Sequence, residues 1–143
     1  MVISRDRERA LATIDAVLSP EARASAHAIE ADLTNPDDAE RAVSATVERF
    51  GRIDALVNLA GGGFGRIAFA ESSLDDLRED LDGYVMTAYT IASAAVRAML
   101  AQVCHEGARS RGRIVTVTAG SSKDPAPGRA LFGACLLYTS RCV

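Results

Sequence analysis

The stretch DALVNLAGGG, at positions 54–63, limits the folds that this chain can adopt more than any other part of it. Its short apolar run is bounded by turn residues, which is typical of a strand buried on both faces in a parallel sheet. Amphipathic helical patterns lie on both sides of it. This order predicts a doubly wound α/β domain, in which ligands bind at the carboxyl ends of the strands. Asn58 to Gly63 would lie at such an end.

The rest of the chain alternates strand-like and helical patterns. Thr34-Asn35-Pro36-Asp37-Asp38 contains a capping side chain, a proline and two carboxylates, so it predicts a helix start, and Gly51 is a natural cap for the end of that helix. Ser72-Ser73 and Asp75-Asp76 resemble a capping box. Gly83 interrupts the helix that follows at a cost of roughly 1 kcal/mol relative to alanine, which indicates a packing reason or a bend. The predicted order is strand 1–4, helix 5–18 ended by Ser19-Pro20, strand 26–31, helix 34–50, strand 53–59, helix 73–103, strand 114–118 and a helix beginning at 129.

Composition excludes several classes of function. At 143 residues, with 48% hydrophobic and 24% charged residues, the chain has the size and composition of one globular domain. Its net charge of −3 argues against a nucleic-acid binder. No apolar run approaches a membrane span and the N-terminus is too charged for a signal peptide, so we expect no membrane partner and a cytoplasmic location. The three cysteines lack metal-ligand spacing, so we expect no metal site.

Several motifs in this order carry a family resemblance. A strand ending in Asp-Leu-Thr is followed by a helix, by GRIDALVNLAG, by a long helix ending in AAVRAML and by GRIVTVTAG. The chain resembles the short-chain dehydrogenase/reductase family over about residues 1–134. The resemblance implies a Rossmann-type doubly wound parallel sheet in a three-layer sandwich. It also implies hydride transfer between NAD or NADP and an alcohol or carbonyl compound.

The resemblance assigns cofactor contacts to five positions. Asp32 falls where the family's acid holds the adenine amino group, with Leu33 beside it. Asn58, Ala60 and Gly61 match the turn whose backbone runs beside the adenosine ribose. Two structural readings compete with these: Asp32 is equally typical of a turn before a helix, and the glycines permit a tight turn whatever the function.

Arg5 follows the first strand of the chain, where the family selects between the two cofactors. An acid at this point would bind the ribose 2′-hydroxyl, whereas Ser4 followed by Arg5 favours the 2′-phosphate of NADP. The alternative is that Arg5 is a solvated residue at a helix start.

The family's catalytic residues are not matched, so we predict no catalytic residue. The resemblance places Tyr84 where the family has a relay Asn, Ala119 where it has a Ser and Phe132 where it has a Tyr. Neither alanine nor phenylalanine can transfer a proton from its side chain. Ser121 replaces the missing Ser only if the loop shifts by two residues.

The resemblance also implies that elements of the family are missing at both ends. We expect the chain to lack the first strand and the glycine-rich phosphate loop, that strand lying between strands 1–4 and 53–59. Residues 135–143, CLLYTSRCV, resemble a translated adaptor end, so we expect a non-native tail. An exposed strand edge and apolar faces would make the isolated chain marginal or aggregation-prone.

Three functions follow from this sequence. The first is an NAD(P)-dependent oxidoreductase acting on a small-molecule alcohol or ketone and inactive as this fragment. The second is a catalytically dead nucleotide-binding, partner or regulatory domain of the same fold, and the third is a structural domain without nucleotide. The family often pairs subunits through the long helix, so the full-length protein is a possible homo-oligomer.

Overall fold

The computed structural model describes residues 1–62, 65–120, 123–124 and 126–141. Gly63 of the predicted turn and Ser121, the predicted stand-in serine, lie outside the described residues. The strands are β1 (Val2–Ser4), β2 (Ala28–Glu30), β3 (Ala55–Asn58) and β4 (Arg113–Thr116). The helices are α1 (Arg7–Val17), α2 (Pro20–Ser25), α3 (Pro36–Phe50), α4 (Leu74–Asp80), α5 (Thr87–Ala101) and α6 (Ala130–Arg141).

The described strands form two parallel pairs. In the first, Ile3 of β1 lies opposite Ile29 of β2, and in the second, Asn58 of β3 lies opposite Thr116 of β4. Parallel strands joined by helices confirm the predicted α/β class. Within the described residues β1 and β3 are not paired with each other, and it is between these two that the resemblance places a further strand.

Helices cover the sheets in layers. The main core joins α3, α5 and the start of β3, and Ile3, Leu56 and Ile114 pack against it from the strands. On the other side of β1 and β2, Ala10 and Ile14 of α1 pack against Ala28. The buried residues of the main core are Ala39, Val43, Ile53, Ile91, Ala94, Ala95 and Met99.

The caps predicted from the sequence are confirmed. Asn35 caps α3 through its side chain, and Gly51 ends that helix in the left-handed conformation with φ of 78°. Ser73 and Asp76 form a reciprocal capping box at the start of α4. Two short helices were not predicted. One is a 3-10 helix, Phe69–Glu71. The other is α2: Ser19-Pro20, taken as the end of α1, instead begins α2, because the Ser19 hydroxyl accepts from the amide of Ala22 and proline suits the first helical position.

A π-helical segment, Leu81–Met86, joins α4 to α5 into one continuous helix. Gly83 lies in this segment against the backbone of Gly62. This segment is the departure from regular helix that Gly83 predicted. Such π-helical segments are frequent at functional sites. The segment brings Tyr84 into a buried cluster with Phe132, Cys135 and Leu136.

The long helix bears on the membrane prediction. Leu74–Ala101 has the length and composition to cross a membrane, contrary to the statement that no apolar run approaches a span. Ile91, Ala94 and Ala95 are nevertheless buried in the main core against α3, and a core helix of a globular domain passes the same test.

The last helix runs through the predicted junction with a non-native tail. α6 continues from Ala130 to Arg141, and Cys135 and Leu136 are buried beside Tyr84. This packing does not test where the native sequence ends, so the tail stays a prediction.

Candidate functional site

Asn58 controls how the chain leaves β3. The residue is only 5% exposed, and its Oδ1 accepts a hydrogen bond from the amide of Ala60 at 3.1 Å. Its backbone carbonyl accepts from the amide of Val117 at 2.9 Å, which extends the contact with β4. An Asn side chain that binds the backbone two residues on forms an Asx turn, so Asn58 fixes the backbone of Ala60 and Gly61.

A cavity of about 140 Å³ lies at the carboxyl ends of β3 and β4, and we call it the β3–β4 cavity. Ligands bind at this end of an open parallel sheet. The structure therefore brings Asn58, Ala60 and Gly61 together where a ligand would bind. The cavity is lined by Asn58, Leu59, Ala60, Gly61, Tyr84, Ala88, Thr116, Val117, Thr118, Ala119, Phe132 and Leu136.

The ring of Tyr84 packs on the glycine turn. A Cβ added at Gly61 would lie 2.8 Å from Cε1 of Tyr84, and one added at Gly62 would lie 3.2 Å from Cε2. The rings of Tyr84 and Phe132 pack edge to face, with a centroid separation of 5.0 Å and an interplanar angle of 65°. Gly61 therefore allows an aromatic ring to pack closely on the turn, and at Gly62 a side chain would make a tight contact with the same ring.

The three unmatched catalytic positions, Tyr84, Ala119 and Phe132, all line the β3–β4 cavity. Burial raises the pKa of the Tyr84 phenol above its usual value of 10.0, and the nearby Asp80 raises it further, partly offset by Arg129. The phenol is therefore protonated at neutral pH. The sequence analysis noted only that Tyr84 stands where the family has an Asn. It missed the contact with Phe132, because no sequence pattern indicates that positions 84 and 132 are close.

A second cavity, of about 440 Å³, lies at the carboxyl ends of β1 and β2, and we call it the Arg5–Asp32 cavity. Oδ1 of Asp32 accepts hydrogen bonds from the amide and the hydroxyl of Thr34, at 3.0 and 2.8 Å. The hydrogen bond from the Thr34 amide lowers the pKa of Asp32 most, followed by the hydrogen bond from the Thr34 hydroxyl. The positive charge of Arg5 also lowers this pKa. Asp32 therefore stabilises the turn before a helix, which was the structural alternative to cofactor binding, and its carboxylate also lines the Arg5–Asp32 cavity.

The Arg5–Asp32 cavity also contains Arg41, which sequence reasoning missed. Its guanidinium donates to the carbonyl of Glu30 at 2.9 Å and to Oδ1 of Asp38 at 2.8 Å. The other oxygen of Asp38 accepts from the amide of Asp32 at 2.9 Å. The only sequence signal for this network is the spacing of three residues between Asp38 and Arg41 on one helix.

Leu33 is not placed with the other predicted cofactor residues. Its carbonyl accepts a hydrogen bond from the Thr90 hydroxyl of α5, and its side chain packs against the main core. Leu33 lines neither of the two cavities. The structure therefore gives this residue a role in joining β2 to α5.

The residues of both cavities suit a dinucleotide. Arg5 forms no ion pair within the described ranges, so its charge is available to an anion, while Asp32 offers an acceptor at the same cavity. The close backbone of Ala60 and Gly61 suits a flat or sugar group at the second strand pair. The donor and acceptor set of the described site therefore fits the adenosine part of the nicotinamide dinucleotide that the resemblance implies, and no described residue is assigned to its pyrophosphate.

Comparisons with known proteins agree with this geometry. The family model described as short chain dehydrogenase matches residues 1–135. The chain is 35% identical over 104 residues to 2,3-dihydroxy-2,3-dihydro-p-cumate dehydrogenase of Pseudomonas putida, covering 73% of this chain and 37% of that protein. It is 44% identical over 66 residues to A-factor type gamma-butyrolactone 1'-reductase of Streptomyces virginiae, covering 46% of this chain and 25% of that protein. The chain thus spans about a third or less of the length of these curated relatives.

Solved structures show the same fold. A short-chain dehydrogenase/reductase from Brucella melitensis has a TM-score of 0.77 at 29% identity, covering 95% of this chain and 50% of that chain. ElxO, solved with NADP bound, has a TM-score of 0.79 at 21% identity, covering 96% of this chain and 52% of that chain. The strand and helix order, the two cavities at the carboxyl ends and the family match lead to one conclusion: the chain belongs to the short-chain dehydrogenase/reductase family.

Proposed function

We propose that this chain is the cofactor-binding part of an NAD(P)-dependent oxidoreductase that acts on a small-molecule alcohol or carbonyl compound. The observation that carries the proposal is that cavities lined by five of the six predicted cofactor residues lie at the carboxyl ends of both strand pairs. Membership of the family supports it, as do the names of relatives that are dehydrogenases and reductases. The unit that we assign to the cofactor comprises residues 1–134.

The family resemblance gives the cofactor residues their roles, and their chemistry suits those roles. The Asp32 carboxylate accepts from the adenine amino group, whereas Leu33 lines neither cavity and is not assigned to the cofactor. The Ala60–Gly61 backbone, held by the Asn58 side chain, runs beside the adenosine ribose. The cofactor, when bound, supplies or accepts the hydride.

We assign NADP rather than NAD because of Arg5. This guanidinium lies close enough to Asp32 to lower the pKa of its carboxyl, and it forms no ion pair in the described part of the chain. A 2′-phosphate would give Arg5 a charged partner, with the bidentate geometry that guanidinium groups provide. ElxO, a structural neighbour, is solved with NADP bound.

A second function has a specific observation in its favour. Ala119 and Phe132 line the β3–β4 cavity without any group that can transfer a proton. This arrangement is compatible with a catalytically dead domain that binds nucleotide and acts as a partner or regulator. The two functions differ in one result for the full-length protein, since the second predicts cofactor binding without turnover there.

The exposed side of α5 suggests how the full-length protein would assemble. Tyr89, Val96 and Leu100 are exposed, and their spacing places them along one side of α5. We propose this side as a contact between copies in a cytoplasmic homo-oligomer. Sedimentation of the full-length protein with Leu100→Glu would test the contact, because a buried charge at the interface would release monomers.

The cofactor assignment is tested by titrating the protein with NADPH and NADH and following the fluorescence of the reduced nicotinamide. Arg5→Gln should weaken NADPH binding by about tenfold or more and leave NADH binding unchanged, since a charged hydrogen bond contributes about 1.5–3 kcal/mol. Arg7→Gln is the matched control, because Arg7 is exposed at the start of α1 and does not line the cavity. Equal effects of the two variants would contradict the assignment, and absence of binding by either cofactor would contradict the proposed function.

A further inference from the structure

The carboxylate of Asp32 is occupied at one of its two oxygens. Oδ1 accepts from the amide and the hydroxyl of Thr34, at 3.0 and 2.8 Å. Oδ2 accepts no hydrogen bond from any residue in the described ranges. Because Asp32 lines the Arg5–Asp32 cavity, this second oxygen is available to a hydrogen-bond donor of a ligand.

The backbone that carries Asp32 is held by two side chains of α3. The Asp32 amide donates to Oδ2 of Asp38 at 2.9 Å. The other oxygen of Asp38 accepts from Nη2 of Arg41 at 2.8 Å, and the same nitrogen donates to the carbonyl of Glu30 at 2.9 Å. Glu30 is the last residue of β2, so the network runs from the end of the strand through α3 and back to Asp32.

The charge of Arg41 allows Asp38 to lie beside a second carboxylate. The hydrogen bond from the Asp32 amide lowers the pKa of Asp38 most, followed by the hydrogen bond from Arg41, so Asp38 is ionised at neutral pH. Its negative charge acts against that of Asp32, and the Arg41 guanidinium offsets it. Exposed ion pairs contribute little to stability, so the network matters more for the placement of Asp32 than for the stability of the fold.

We propose that Asp38 and Arg41 are positioning residues that hold Asp32 where its Oδ2 accepts from the amino group of the adenine base. This inference rests on the proposed function and adds two residues that the family resemblance did not assign. It also gives the cavity a preference for the base. A carboxylate attracts the amino donor of adenine and repels an oxygen acceptor at the same place, but only while the carboxylate is held in position.

The test compares NADPH with its hypoxanthine analogue, in which a carbonyl oxygen replaces the amino group of the base. Fluorescence of the reduced nicotinamide reports the binding of both dinucleotides to the full chain. The wild type should bind NADPH about tenfold or more tightly than the analogue, since a hydrogen bond to a charged group is worth about that factor. Asp38→Asn should reduce this preference to about threefold or less, because the asparagine nitrogen would face another donor, either the Asp32 amide or Arg41.

Asp37→Asn is the matched control. It removes the same charge from the same helical turn, but Asp37 does not line the cavity and its side chain is not part of the network. Its preference for NADPH should equal that of the wild type. Arg41→Lys keeps the charge and the donors, so it should retain a larger preference than Arg41→Gln, which loses the charge.

A second measurement needs no cofactor. Hydrogen exchange followed by NMR reports whether the Asp32 amide is bonded to Asp38. Asp38→Asn should lose protection at Asp32 while the melting temperature stays near that of the wild type. The neighbouring amide of Ala31, which donates to the carbonyl of Ser4 at 3.0 Å, should keep its protection, because that bond does not involve α3.

The outcomes separate the two claims. A wild type that binds neither dinucleotide overturns the proposed function and this inference with it. An Asp38→Asn protein that keeps the wild-type preference for NADPH overturns the positioning role and leaves the proposed function standing, as does a wild type that binds both dinucleotides equally. If Asp38→Asn does not fold, the Arg41 variants decide, and equal preferences in Arg41→Lys and Arg41→Gln overturn the positioning role.

Discussion

Gly83 and Gly62 are in direct backbone contact, since a Cβ built on Gly83 would lie 2.7 Å from the Cα of Gly62 and 3.1 Å from its nitrogen. The contact joins the π-helical segment of the long helix to the turn that follows β3. It places the next residue, Tyr84, over that turn. Two glycines far apart in the sequence thus hold the long helix against the turn that borders the candidate site.

Gly83→Ala tests this contact. Helix propensity alone predicts that alanine stabilises the helix by roughly 1 kcal/mol relative to glycine. The contact predicts the opposite sign, a loss of about 1–3 kcal/mol, because the backbone of Gly62 cannot move aside as a flexible side chain can. Chemical denaturation measures the difference. Gly65→Ala is the control, since nothing lies within 4 Å of a Cβ at that position, and a stabilised Gly83→Ala protein would contradict the contact.

The sequence was sufficient to predict the alternating strands and helices and the family, but it did not predict the contacts between distant segments. Asn35, Gly51 and the Ser73–Asp76 box determine helix ends through neighbours in sequence, so local patterns predict them. The close approach of Gly83 to Gly62 depends on how the long helix docks, and Gly83 alone indicated only that some packing reason existed.

The candidate site shows the same division. Strand order placed Arg5, Asp32, Asn58, Ala60 and Gly61 at carboxyl ends of strands, where the structure has them. The docking of Leu33 on Thr90 and the ring contact between Tyr84 and Phe132 are tertiary contacts without a local sequence pattern. They required coordinates.

Gln102 connects the end of the long helix to the start of β3. Its Oε1 accepts from the amide of Ile53 at 3.0 Å, and its Nε2 donates to the carbonyl of Ile53 at 2.7 Å and to that of Arg111. Gln102→Ala should lower the free energy of unfolding by about 1–3 kcal/mol, because the Ile53 peptide group loses both partners. Gln102→Glu keeps the acceptor but loses the donor, so it should also be less stable than wild type. Equal stability of this variant and wild type in chemical denaturation would contradict the hydrogen bonds donated by Nε2.

Acid should weaken the start of α4. Oδ2 of Asp76 accepts from the hydroxyl and amide of Ser73, which lowers the pKa of Asp76 below its usual value of 3.8. A lowered pKa contributes stability that is present above the usual value and is lost as the pH falls through the lowered one. Thermal melts at decreasing pH should therefore show wild type and Asp76→Asn converging in acid. Asp75→Asn serves as the control, since Asp75 is exposed and outside the capping box, and parallel curves for Asp76→Asn would contradict the mechanism.

The outer face of β3 and β4 is expected to promote self-association. Val57, Val115 and Val117 are 56%, 52% and 52% exposed, and they form an apolar surface beside an edge of β3 that no described strand pairs with. Val57→Thr with Val115→Thr should reduce light scattering on storage with little change in melting temperature. Val43→Thr is the same chemical change in the main core, where Val43 is buried, and should destabilise by about 1–3 kcal/mol. Scattering unchanged by the surface pair would count against this face.

The most direct test of the account is amide chemical-shift mapping by NMR during titration with NADPH. We predict saturable shifts at Arg5 and Asp32 and at Asn58 and Gly61, since the cofactor would span the carboxyl ends of both strand pairs. A larger groove of about 500 Å³ lies between α3 and α5, with Gly51 and Gln102 in its lining, away from those ends. Shifts confined to that groove, or no saturable shifts at any residue, would contradict the assignment of this chain as a dinucleotide-binding domain.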